Sequence, residues 1–93
     1  MRLSIAWTAQ FKKDYKLATK RGLDLDLLDS VIRLLAAGEP LPARNRDHAL
    51  SGNWVGYREC HIQSDWILIY RVDREALLLT LVRTGSHSDL FGK

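Results

Sequence analysis

What most constrains this chain is a run of three strand-like segments separated by tight polar breaks. Val55 to Ile62, Trp66 to Val72 and Ala76 to Thr84 are rich in branched and aromatic residues, and only QSD and DRE stand between them. Breaks that short cannot hold a crossover helix, so the three strands must pair as an antiparallel meander. Ile67, Ile69 and the run Leu77 to Leu81 leave little polar alternation. A sheet with such a middle needs cover on at least one face.

The cover lies upstream. Leu3, Ile5 and Trp7 alternate with Arg2, Ser4 and Ala6, which predicts a first strand over Arg2 to Trp7. Thr8 is placed to cap a helix from Ala9 to Arg21 that Gly22 ends. On this helix Phe11, Tyr15 and Ala18 fall with Trp7 on one side, and Lys12, Lys13, Lys16 and Lys20 fall on the other. A second helix, capped by Asp24 or Asp26, carries Leu28, Val31, Ile32 and Leu35 on one face and stops at Gly38 and Pro40. From Glu39 to Asn53 two Pro, one Gly and two Asn with no sustained period predict a loop with room for a short strand, and the closing GSHSDLFGK has the length of a helical turn or tail. The expectation is one α+β domain over residues 1–93, with two N-terminal helices packed on a mostly antiparallel sheet of four or five strands.

Composition narrows the function classes. At 93 residues a two-domain enzyme is excluded, and 46% apolar with 27% charged residues excludes a disordered chain. Cys60 is the sole cysteine, so a disulfide-stapled scaffold is excluded and a reducing compartment is expected. Leu3 to Trp7 is too short for the apolar region of a signal peptide, and no run approaches the ~18 apolar residues of a membrane span, so the expectation is a cytoplasmic protein with no membrane partner. The net charge is +3, and residues 1–46 hold nine basic and five acidic side chains against five and six in 47–93. That asymmetry suits a polyanion or an acidic protein. The lysine stripe Lys12, Lys13, Lys16 is by default a solvated helix face; it equally suits ribosomal RNA or an acidic partner.

Turn geometry brings polar residues together. A two-residue hairpin at Gln63 and Ser64 sets His61 opposite Trp66 and Tyr57 opposite Tyr70, and a turn through Asp73 to Ala76 sets Trp66 opposite Arg83. His61, Trp66 and Arg83 then line up across three strands, with Asp65 at the same end and His87 four residues beyond Arg83. Metal-free cleavage of an RNA phosphodiester needs a base for the 2′-hydroxyl, an acid for the 5′-oxygen and a cation for the phosphate. Histidine suits both proton roles, arginine suits the phosphate, and aromatics stack bases.

The stretches Asp47-His48-Ala49-Leu50-Ser51-Gly52-Asn53-Trp54, Gly56-Tyr57-Arg58-Glu59-Cys60-His61, Asp65-Trp66-Ile67-Leu68-Ile69-Tyr70 and Arg83-Thr84-Gly85-Ser86-His87 through Leu90-Phe91 carry a family likeness. With them the chain resembles the RelE-like toxins of bacterial toxin–antitoxin systems, and within these the YafQ branch of small basic ribonucleases that act on messenger RNA in the ribosome. The resemblance implies a RelE-like fold and a site of His48, His61, Asp65 and His87, with Arg83 near the phosphate and Trp66 and Phe91 holding the RNA. Within that site the expectation is His87 as general acid, and His61 or His48, oriented by Asp65, as general base. It also implies a cognate acidic antitoxin, the ribosome and messenger RNA as partners, and DNA contact only through the antitoxin. No cofactor is expected. A zinc site is disfavoured because the separations His48 to His61, His61 to Asp65 and Asp65 to His87 are 13, 4 and 22 residues, which match no compact zinc motif. The rival reading is a non-catalytic module of the same fold that only holds RNA or an antitoxin.

Overall fold

A computed structural model describes residues 2–92; Met1 and Lys93, the ends of the expected domain, lie outside the described residues. The elements are β1 (Ser4–Trp7), α1 (Ala9–Lys20), α2 (Leu25–Ala36), β2 (His48–Ala49), β3 (Arg58–Gln63), β4 (Trp66–Asp73), β5 (Leu78–Gly85) and α3 (His87–Phe91). The five strands form one sheet in the order β1-β5-β4-β3-β2. Only β1 runs parallel to its neighbour, because the α1–α2 hairpin carries the chain away before the meander returns to it. No helix among the described residues is long and apolar enough to cross a membrane.

The helices begin where side chains satisfy orphan backbone donors. The Thr8 hydroxyl accepts from the Phe11 N–H at the start of α1, and the Asp24 carboxylate, not Asp26, caps α2. Phe11, Ala18, Leu28 and Ile32 pack with Cys60, Leu68, Tyr70, Leu79 and Leu81 to form the main core on one face of the sheet. The other face is closed by a thinner layer: Ile67 and Ile69 are fully buried beneath Leu90, Leu50, Trp54, Tyr57, Val82 and Phe91.

Beyond the end of β1, the outer edge of β5 would present unpaired polar groups. Thr8 covers the first of them, its N–H donating to the Leu81 carbonyl and its hydroxyl to that of Val82. Asp14, buried on α1, covers the next by accepting from the Thr84 N–H and, in a fork, from Arg83 Nε and Nη2. That pairing raises the Arg83 guanidinium above its ordinary value.

The register departs from the sequence expectation. The hairpin between β3 and β4 turns through Ser64 and Asp65, pairing Gln63 with Trp66, and an irregularity between His61 and Gln63 sets His61 opposite Ile67 and Arg58 opposite Tyr70. A second irregularity, at Val82, sets Arg83 opposite Ile69. Trp66 therefore turns to the helix side, 4% exposed, where its indole N–H donates to the Thr84 hydroxyl at 2.9 Å and that hydroxyl donates to the Ile67 carbonyl. Strand β5 starts at Leu78, not Ala76, because Asp73 accepts from the N–H groups of Glu75 and Ala76 and Leu77 takes a left-handed φ of 53°. Strand β3 starts at Arg58, not Val55, since Gly56 also has positive φ.

Thr84→Val keeps the shape of the side chain but strands the buried Trp66 N–H, and should cost ~1–3 kcal/mol in urea unfolding. Thr84→Ser, which keeps the acceptor, should lose less; equal stability of the Val variant would show that the hydroxyl is dispensable.

Candidate active site

Alternation along β3 directs Cys60 and Ile62 to the helix-side core and Glu59 and His61 to the opposite face. Strand β2 lies beside it in register, with His48 directly across from Glu59. His87 opens α3, and the turn into that helix depends on Gly85: at its φ of 158° a Cβ would stand 3.1 Å from Asp89 Oδ2. Asp89 occupies that space because it completes a capping box with Ser86, each side chain accepting from the other's backbone N–H. Arg21 at the end of α1 donates to the same carboxylate at 2.7 Å, which pulls the Asp89 carboxyl down to about 2.

Glu59 is the hub. Its Oε2 lies 3.3 Å from His48 Nε2, 3.6 Å from His61 Nε2 and 3.8 Å from His87 Nε2, and the residue is only 4% exposed. Behind the hub, His48 Nδ1 is 2.7 Å from the Arg46 carbonyl, and His87 Nδ1 is 2.9 Å from Asp65 Oδ1. Asp65 also accepts from the His87 backbone N–H, and these two bonds hold its carboxyl below the ordinary range. His48 and His87 thus each hydrogen-bond through Nδ1 while turning Nε2 toward Glu59 at a longer separation. The His61 and His87 rings lie 5.5 Å apart, and Phe91 flanks His87 with its ring 6.1 Å away. Glu59, His61 and His87 also have ligand atoms within 4.8 Å of one another, a spacing that one metal ion could bridge.

The structure thus gathers His48, His61, Asp65, His87 and Phe91. Asp65 orients His87, in place of the expected His61 or His48, because the Ser64–Asp65 turn abuts the start of α3. Trp66 lies in the core, Arg83 is forked onto Asp14, and Lys12, Lys13 and Lys16 stay on the exposed side of α1, outside the histidine cluster. Glu59 was not singled out from the sequence. Its signal was the two-residue spacing to His61, which puts both on one face of a strand.

Three imidazoles and two carboxylates converge on one face of a small α+β scaffold, a set of groups chemically able to accept and donate protons. Comparisons agree on the family. A family model described as "Bacterial toxin of type II toxin-antitoxin system, YafQ" matches residues 3–92. The mRNA interferase toxin YafQ of Escherichia coli K12 is 46% identical over 89 residues, 95% of each chain. The E. coli DinJ–YafQ toxin–antitoxin complex contains a chain that superposes with a TM-score of 0.90 at 44% identity, covering 99% of this chain and 100% of that one. A metal-bound toxin from Helicobacter pylori superposes with a TM-score of 0.90 at 43% identity over 96% of this chain and 99% of that one. The chain belongs to the YafQ family of type II toxins.

The Arg21–Asp89 bridge generates a pH prediction. Asp89 is depressed in the fold from 3.8 to about 2, so its contribution is complete above pH ~4 and is lost as pH falls through 2. In Arg21→Gln the Asp89 carboxyl should titrate closer to 3.8 by NMR, narrowing that acid window. An unchanged titration would mean the capping box alone sets it.

Proposed function

We propose that this chain is a ribosome-dependent endoribonuclease toxin that cleaves translated messenger RNA by acid–base catalysis without needing a metal, and that an acidic antitoxin silences it. The observation that supports this most is the pair His61 and His87, on two sides of the Glu59 carboxylate, with rings 5.5 Å apart. That separation lets two imidazoles serve two oxygens of one phosphate.

In this reading His61 takes the proton of the 2′-hydroxyl, and Glu59 steadies the imidazolium so formed, as a buried carboxylate does in other His-based sites. The 2′-oxygen bonds to phosphorus and the bond from phosphorus to the 5′-oxygen breaks. His87, held by Asp65, gives its proton to that oxygen. The products are a 2′,3′-cyclic phosphate and a 5′-hydroxyl. His48 stands beside Glu59 at the edge of this site, and Arg83, forked onto Asp14 through Nε and Nη2, is the cation assigned to the phosphate. Phe91 offers a stacking surface beside the acid. The exposed Lys12, Lys13 and Lys16 suit ribosomal RNA, and the basic charge suits an acidic antitoxin. Such a toxin works in the cytoplasm, where translation takes place.

Mapping the ends of messenger RNA after induced expression tests the reading: in-frame cuts with 5′-hydroxyl ends are expected, and 5′-phosphate ends would reject the mechanism. His87→Gln should lower cleavage roughly 10²- to 10⁴-fold with RNA binding kept. Full activity in that variant would remove His87 as the acid.

The Glu59–His61–His87 spacing favours a second reading, inhibition by a transition metal, in keeping with the metal-bound H. pylori relative. A bound ion would take the lone pairs that move protons. Added Zn²⁺ should therefore suppress cleavage, and EDTA should restore it without lowering the basal rate. Activation by Zn²⁺ would reverse the assignment.

A further inference from the structure

Beside the cluster, on the side of β3 away from His87, the loop Arg44-Asn45-Arg46 borders a cavity of about 390 Å³ whose wall includes His61, Gln63 and Ser64. We propose that Arg44 and Arg46 form a second anion site there, which grips a backbone phosphate next to the one cleaved. This rests on the ribonuclease reading for its ligand.

Three observations carry it. First, the loop is fastened to the catalytic strand: Asn45, 6% exposed, donates its side-chain amide to the His61 carbonyl at 2.6 Å, so the arginines and the proposed base are held as one unit. Second, Arg46 adopts the left-handed conformation at φ 47° and ψ 45°, which costs a non-glycine residue about 1–2 kcal/mol. Glycine would sit there without that cost, so the strain points to a use for the guanidinium. Third, among the described residues no carboxylate lies within 4.0 Å of either guanidinium. Asp47, the adjacent acid, is engaged by Arg58 and Tyr70. Two free planar forks over a cavity suit phosphate oxygens. RNA is favoured over an acidic protein because a strand running between His61 and His87 must leave along one side, and this cavity adjoins His61.

The test is binding of a 2′-O-methyl RNA hexanucleotide, which lacks the attacking hydroxyl, across a range of salt concentrations. Arg44→Gln/Arg46→Gln should bind roughly 10- to 100-fold more weakly, with a salt slope shallower by about 0.7 for each phosphate left unneutralised. Arg44→Lys/Arg46→Lys should keep the slope. Arg46→Gly, which suits the left-handed turn, should lose affinity while melting no lower than the wild type, separating charge from backbone damage. The proposal falls if the Gln variant keeps the wild-type slope and affinity, if the wild type does not bind the hexanucleotide, or if only affinity for an acidic protein changes. A wild type that binds with this slope but never cuts RNA would refute the ribonuclease reading and leave the anion site standing.

Discussion

Burial of β4 on both faces is the constraint from which the rest follows. Every residue from Trp66 to Tyr70 is buried, so the strand cannot rest on the helical hairpin alone. Covering Ile67 and Ile69 is worth about 1.5–3 kcal/mol for each side chain, and the cover comes from Leu90 and Phe91 of α3 together with Leu50, Trp54 and Tyr57. A five-residue helix has no stability of its own. It persists because its apolar side chains close the sheet, and the same docking delivers His87 to Glu59 and Asp65. Loosening α3 would therefore cost stability and site geometry together.

The electrostatics follow from that arrangement. Burying a carboxylate is costly unless cations or donors surround it. Glu59 meets the condition with three imidazoles, and Asp14 meets it with Arg83 and a backbone N–H. The first arrangement holds ionisable groups at an accessible surface; the second stitches α1 to the open edge of β5. Arg21 and Asp89 add a third tie, which anchors α3 to the far end of α1.

The helices were legible because their signals are local. Thr8 and Asp24 cap where a cap was expected, and the Phe11 and Leu28 faces bury as their periodicity requires. The sheet was legible as a meander and illegible in register. A sum rule for paired residues assumes a regular ladder, and irregularities near Ile62 and Val82 each absorb one residue. One slip sufficed to carry Trp66 from the expected RNA-facing row into the core. Asp65 was expected in the site as the residue that orients His61 or His48, and only the tertiary return of α3 reveals that its bond is to His87. Glu59 escaped notice because a charged residue in a strand looks solvent-facing until the thin second layer is known. His48 and Phe91 were reached through family resemblance, since their spacing to the other site residues carries no local signal.

Cys60 sits between Glu59 and His61 but points the other way, fully buried against the helices, with its thiol pushed up to about 12 by that burial. Protonated and shielded, it is a poor target for oxidants, so the redox state of the cell has no direct handle on the strand that holds the hub. The thiol becomes reactive only when β3 parts from the helical layer. Alkylation of this single sulfur is therefore a built-in clock for dissolution of the strand that carries Glu59 and His61, read out at the residue between them.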